Sequence, residues 1–321
     1  MDVILPLADE YLLDRVWARL VPLSAFSAVP EAYAGLNSTI VPSKWSQLVA
    51  HLPHPPLHDA PAALGAVSAW PRDYIPRQLI SLTVLTLVGI HLLYFSFAWA
   101  SYTFIFDKRM MRHPRFLKDQ VRREIITSLK AFPMMTLLTL PWFQAEVMGY
   151  SKLYEDVSKY GWPYLIFSVF FFLAFTDYCI YWIHRWLHNP YVYKWLHKPH
   201  HKWIIPTPFA SFAFHPLDGY LQSVPYHLFA FLFPFHRYCY LGLFVLVNFW
   251  SIFIHDSDMI TGHPLENIIN GPAHHTLHHV YFTVNYGQYF TWSDRSGGSY
   301  MAPDHKYDPL LQIEKEEKKA Q

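Results

Sequence analysis

His184 to His201 reads HRWLHNPYVYKWLHKPHH, five histidines in eighteen residues, directly after an apolar segment. His184 and His188 stand four apart, so on a helix they share one face and can grip one ion. His197, His200 and His201 repeat the possibility at spacings of three and four. A third cluster, HHTLHH, supplies His275, His278 and His279 in the same H-x-x-H-H order. Of the chain's twenty histidines, fourteen fall between His184 and His279. A lone histidine is ordinarily a surface or satisfied core residue. Eight in three repeated spacings are too many for one ion and suit two.

Composition sets the surroundings. The chain of 321 residues is 52% hydrophobic, 18% aromatic and 15% charged, against about 25% charged for a typical soluble protein. Apolar residues come in blocks, as in an integral membrane protein. A net charge of +1 gives no reason to expect nucleic acid as a partner. Cys179 and Cys239 lie in apolar sequence and make no disulfide framework.

Residues 1–78 show no basic start followed by a short apolar core, which argues against a cleaved signal peptide. EYLLDRVWARLVPL suits a short amphipathic helix at a membrane surface. Pro30, Pro42, Pro53, Pro55, Pro56 and Pro61 then predict loops, with a glycosylation sequon at Asn37. Three apolar stretches follow, Leu79–Phe106, Ala131–Val147 and Trp162–Ile183; a span needs about 20 such residues. Between the first two lies DKRMMRHPRFLKDQVRREIITSLK, with eight Lys or Arg in 24 residues. The positive-inside rule puts this loop in the cytoplasm and the N-terminus in the lumen. The third span then returns the chain to the cytoplasm at His184. Val224–Ile254 is apolar but broken near Pro234, His236 and Arg237, which predicts a helical hairpin and keeps the third histidine cluster beside the first two. The expected architecture is all-α: a multi-pass integral membrane protein with a cytoplasmic, histidine-rich, di-metal helical cap. Its parts are a luminal or interfacial segment at 1–78, transmembrane helices at 79–183, a catalytic region at 184–310 and a disordered cytoplasmic tail at 311–321.

Neutral imidazoles accept zinc, iron, copper or nickel. A zinc hydrolase normally adds a general base, and no H-E-x-x-H occurs. A pair of irons open to dioxygen and to lipid fits the placement better. His255, which ends an apolar run before the third box, is a ninth candidate ligand, with His215, His263 and His274 behind it. His227 and His236 read as structural. Asp177 lies seven residues before His184, on nearly the same helical face, and is predicted to hold a ligand histidine by a hydrogen bond. A metal transporter would place its polar residues within the spans, near the midplane; here they collect after them.

The boxes HRWLH, HKPHH and HTLHH resemble the fatty acid hydroxylase superfamily. The stretches LHKPHHKWIIPTPFASFAFHPLDGYLQSVPYH, IHDSDMI and HHVYFTVNYGQYFTWSDRSGGSY are similar to the sterol carbon-5 desaturases of fungal type, as is MDVILPLADEYLLDRVWARLVP. The resemblance implies a C5–C6 double bond introduced into a Δ7-sterol such as episterol, in ergosterol biosynthesis at the endoplasmic reticulum membrane. It implies two iron ions, whose nitrogen ligands also accept zinc in a preparation, and dioxygen as oxidant. It also implies cytochrome b5 and its NAD(P)H-dependent reductase as electron source. The metal ligands would be His184, His188, His197, His200, His201, His275, His278 and His279, with His255 added. Phe212 departs from the pattern, which has histidine there. A sterol or sphingolipid hydroxylase or methyl oxidase of the same superfamily is the alternative. The last four residues, KKAQ, resemble a dilysine retrieval signal.

Overall fold

The computed structural model describes residues 1–26, 44–55 and 68–319. Asn37, Pro30, Pro42, Pro56, Pro61 and the end of the KKAQ signal lie outside the described residues. The helices are α1 Ile4–Ala8, α2 Asp14–Leu20, α3 Lys44–Val49, α4 Ile75–Phe104, α5 Gln120–Val147, α6 Gly161–Leu187, α7 Pro190–Leu196, α8 Pro216–Leu232, α9 Arg237–Phe253, α10 Pro272–Tyr281, α11 Trp292–Gly297 and α12 Pro309–Lys319. Two strands, β1 Leu153–Tyr154 and β2 Phe235–His236, pair in parallel. Of these helices, α4, α5 and α6 are long and apolar enough to cross a membrane. The ends of α4 and α6 fall within four residues of the apolar stretches, whereas α5 starts at Gln120, eleven residues before Ala131. Its first turns are polar, and hydropathy alone does not register them.

The chain divides into two compact units whose borders cut through α4 and α5: residues 1–86 with 140–149, and residues 87–139 with 150–321. In the first unit, α1, a single π turn at Asp9–Leu13 and α2 form one helical run. Leu5, Leu13 and Trp17 are buried while Tyr11 is 71% and Leu12 58% exposed, the two-faced pattern the sequence suggests. Buried Arg77 holds the run: its Nη2 meets Asp9 Oδ1 at 2.6 Å and Asp14 Oδ1 at 2.5 Å, and its Nη1 donates to the Trp70 carbonyl.

In the second unit α6 lies along α8. Phe172 of α6 stacks on Phe235 and meets Phe229 edge-on, all three fully buried. The break between α8 and α9 has a local cause. Pro234 has no N–H to donate to the preceding turn and disfavours helical backbone at the residue before it; Phe233 is accordingly extended, at ψ 143°. Limbs of 17 residues result, each about 25 Å long at the helical rise.

The loop after the second box is pinned to α5 by buried Glu124. Its carboxylate accepts the Gln120 amide (2.7 Å), the Thr207 N–H (3.3 Å) and the Thr207 hydroxyl. That loop carries Phe212 into a cluster with Tyr94, Phe132 and Phe209, so the departure at this position serves packing. The tail is not disordered from residue 311. It is helical to Lys319, because Pro309 and Ile313 are buried and Glu317 pairs with Arg112 at 2.7 Å.

Removing Arg77 would strand buried Asp9. Loss of one partner from a buried ion pair costs about 3–5 kcal/mol, so Arg77→Ala should lower the thermal midpoint of the detergent-purified protein by many degrees. Arg72→Ala, whose pair with Asp14 is half exposed, should barely move it.

Candidate metal centre

Each box is delivered by a helix end or a short turn. The last turn of α6 presents His184, and His188 is its C-terminal cap. Asn189 then caps α7, accepting the Tyr191 N–H, with Pro190 at the first helical position. His197 closes α7, and its carbonyl accepts the N–H groups of His200 and His201 in one further turn. His255 follows the end of α9, and His275, His278 and His279 sit on α10.

The structure brings all nine of these histidines into two groups, His184, His188, His197, His201 and His278 in one, His200, His255, His275 and His279 in the other. The H-x-x-H-H boxes do not each stay within one group, as their spacing suggests. Residues four apart on a helical turn lie about 40° from each other, and the residue at i+3 lies about 100° from the one at i+4. His197 and His201 therefore join the first group while His200 turns to the second. In the third box the exchange is reversed: His275 and His279 join the second group and His278 turns to the first.

The Nε2 atoms converge. In the first group His184–His197 and His201–His278 are 3.0 Å apart, and His188–His201 and His197–His201 3.1 Å. In the second, His255–His275, His275–His279 and His200–His255 are 3.0, 3.2 and 3.3 Å apart. Nitrogens bound at ~2.0–2.1 Å to one ion, at octahedral or tetrahedral angles, lie ~2.9–3.4 Å from one another. The opposite ring nitrogens explain why these lone pairs face inward. Nδ1 of His184 donates to the Tyr286 carbonyl (3.0 Å), that of His278 to Val284 (2.7 Å), that of His255 to Ser251 (2.6 Å) and that of His279 to Trp203 (2.9 Å). A carbonyl only accepts, so Nδ1 carries the proton and Nε2 is left as a ligand.

Burial first, and neighbouring imidazoles second, hold His200, His201, His275, His278 and His279 far below the usual histidine pKa. Burial also brings His255 down to about 4, against a backbone hydrogen bond that raises it. The neutral form is the one that binds metal. Tyr193, Phe282 and Tyr286 pack on the first group and Phe214 on the second.

His197 differs from the rest: its Nδ1 meets Asp218 Oδ2 at 2.7 Å, both side chains fully buried. Asp218 thus fills the role the sequence gives to Asp177. Asp177 itself holds no ligand histidine; its Oδ1 accepts the N–H groups of Gln288, Tyr289 and Phe290. Its helical face is as expected, but the loop after the third box occupies that face. No spacing rule links Asp218 to His197 across an irregular loop; its place within FHPLDGY is the only signal for it. His215 and His263 cap helices by accepting the N–H two residues on, and the Nδ1 of His274 accepts the Gly271 N–H; none of the three joins either group.

The fatty acid hydroxylase family profile matches residues 169–299, which contain all nine grouped histidines. The chain is similar to a Δ7-sterol 5(6)-desaturase of Aspergillus fumigatus, with 47% identity over 97% of this chain and 92% of that one. It is 48% identical to one from Gibberella zeae over the same shares. It is also 55% identical to the human lathosterol oxidase, over 74% of this chain and 80% of that one. No solved structure matches it. The chain belongs to the sterol C-5 desaturases of the fatty acid hydroxylase family.

Losing the acceptor that orients a metal-binding histidine typically costs 10–100-fold in affinity. Asp218→Ala should therefore weaken metal retention by about that factor, measured as the chelator concentration that strips half the metal from purified protein. Retention equal to wild type would remove Asp218 from the site.

Proposed function

We propose that this protein is a Δ7-sterol C-5 desaturase whose two histidine groups each hold one iron. The supporting observation is the convergence of nine histidines on two points, in a chain that belongs to the sterol C-5 desaturases. In the proposed reaction two hydrogens leave carbons 5 and 6 of an episterol-like sterol. Dioxygen is reduced to two waters, taking up those two hydrogens, two electrons that arrive from NAD(P)H through cytochrome b5, and two protons from the medium. The irons, when bound, supply the oxidising power that unactivated carbon–hydrogen bonds demand and side chains lack. The chain's own residues supply the rest. Carbonyls at 203, 251, 284 and 286 and the Asp218 carboxylate hold protons on Nδ1 and so fix the direction of Nε2 in five of the nine histidines. Tyr193, Phe214, Phe282 and Tyr286 wall the groups with rings that exclude water.

The placement in the cell follows the same reading. Helices α4, α5 and α6 cross the endoplasmic reticulum membrane, α8 and α9 dip into it and return, and both histidine groups face the cytoplasm with the C-terminus. The eight cations between residues 107 and 130 support this orientation. The relatives' names favour desaturation over the hydroxylation the family name describes.

The test is the sterol profile of a fungal strain that lacks C-5 desaturation and expresses this chain. Wild type should restore Δ5,7-sterols, and His200→Ala, produced at equal level, should not. A hydroxylated or demethylated sterol from the wild type would move the protein to the hydroxylase branch.

A further inference from the structure

Five consecutive backbone N–H groups, from Tyr286 to Phe290, are accepted by two buried carboxylates. Asp294, 1% exposed, takes the Tyr286 N–H on Oδ1 and the Gly287 N–H on Oδ2, both at 2.8 Å, and the Ser299 hydroxyl on Oδ1 at 2.8 Å. Asp177, 0% exposed, takes the N–H groups of Gln288, Tyr289 and Phe290 on Oδ1, at 3.1, 2.7 and 3.1 Å. Gly287 is required in this loop: a Cβ there would lie 2.5 Å from the Phe290 carbonyl and 3.0 Å from Asp294 Oδ2. With its N–H groups turned to the carboxylates, the segment presents carbonyls elsewhere. The Tyr286 carbonyl orients His184, and that of Val284, two residues before the clamped segment, orients His278. Both histidines belong to the five-histidine group. The known anchors of the other group, the carbonyls of Ser251 and Trp203, stand outside this loop.

We infer that Asp294 and Asp177 are positioning residues for the five-histidine metal site alone, acting through the 284–290 loop rather than on any ligand. The inference rests on the two-centre reading above. It makes the two carboxylates unequal. Asp294 uses both oxygens, so an amide in its place would set an N–H₂ against a backbone or hydroxyl donor. Asp177 uses only Oδ1, and its Oδ2 has no partner among the described residues. Asparagine can keep Oδ1 toward the three N–H groups and turn its amide nitrogen to the vacant side.

The experiment is iron content per chain, by elemental analysis of detergent-purified full-length protein grown with excess iron. Monodispersity and thermal midpoint report folding. Wild type should hold about two ions and Asp177→Asn about two, whereas Asp294→Asn and Asp177→Ala should each hold about one. Adding His200→Ala to Asp294→Asn should remove the remaining ion; adding His184→Ala should change nothing further. Asp177→Ala reaches the same selective loss from the other carboxylate, so the test does not hang on one variant folding. Two ions in Asp294→Asn, none in it, or equal loss in Asp177→Asn and Asp177→Ala would each overturn the inference. A single ion in the wild type would instead overturn the two-centre reading itself, before any variant is compared.

Discussion

The rest of the site depends on keeping many uncharged imidazoles close together without water. Nε2 atoms 3.0–3.3 Å apart cannot all hydrogen-bond one another, since each neutral ring has one donor and one acceptor. Protonating them would crowd positive charge into a buried space, and burial already opposes it. For His184, His197, His255, His278 and His279 the proton sits on Nδ1 and is held by an acceptor in the surrounding fold. That requirement explains the otherwise scattered carbonyls at 203, 251, 284 and 286 and the carboxylate of Asp218. They lie on four segments, the carbonyls at 284 and 286 sharing one loop, so several elements must be held to about an ångström for the two points to form.

The fold supplies that precision through buried polar clamps rather than regular sheet. Glu124 ties the loop after the second box to α5, and Asp177 ties the loop after the third box to α6, the helix that also carries His184. In each case a carboxylate on a long apolar helix accepts backbone N–H from an irregular segment, one group for Glu124 and three for Asp177, that would otherwise be buried unsatisfied. The aromatic packing of α6 against α8, through Phe172, Phe229 and Phe235, fills the remaining space where polar partners are not needed.

Local relations were legible in the sequence. The i, i+4 pairs, the apolar lengths of α4 to α6 and the helix break at Pro234 each follow from a few adjacent residues. His255 could be marked because it ends an apolar run. What depended on three dimensions was not legible. The exchange of His200 and His278 between groups follows from helical angle only once the boxes face each other. Asp177 was placed on the right face, yet its partners lie 111 to 113 residues away. Asp218 reaches His197 across a loop with no periodicity. The last helix is polar enough to read as solvated chain until Pro309 and Ile313 are seen to be buried and Arg112 paired with Glu317.

The division of each H-x-x-H-H box between two centres is the claim on which the chemistry rests. It is tested most directly by anomalous diffraction at the iron edge from crystals of the iron-loaded protein. Two separate peaks are expected, one among His184, His188, His197, His201 and His278, the other among His200, His255, His275 and His279. A single peak, or a peak bound by His197, His200 and His201 together, would contradict it.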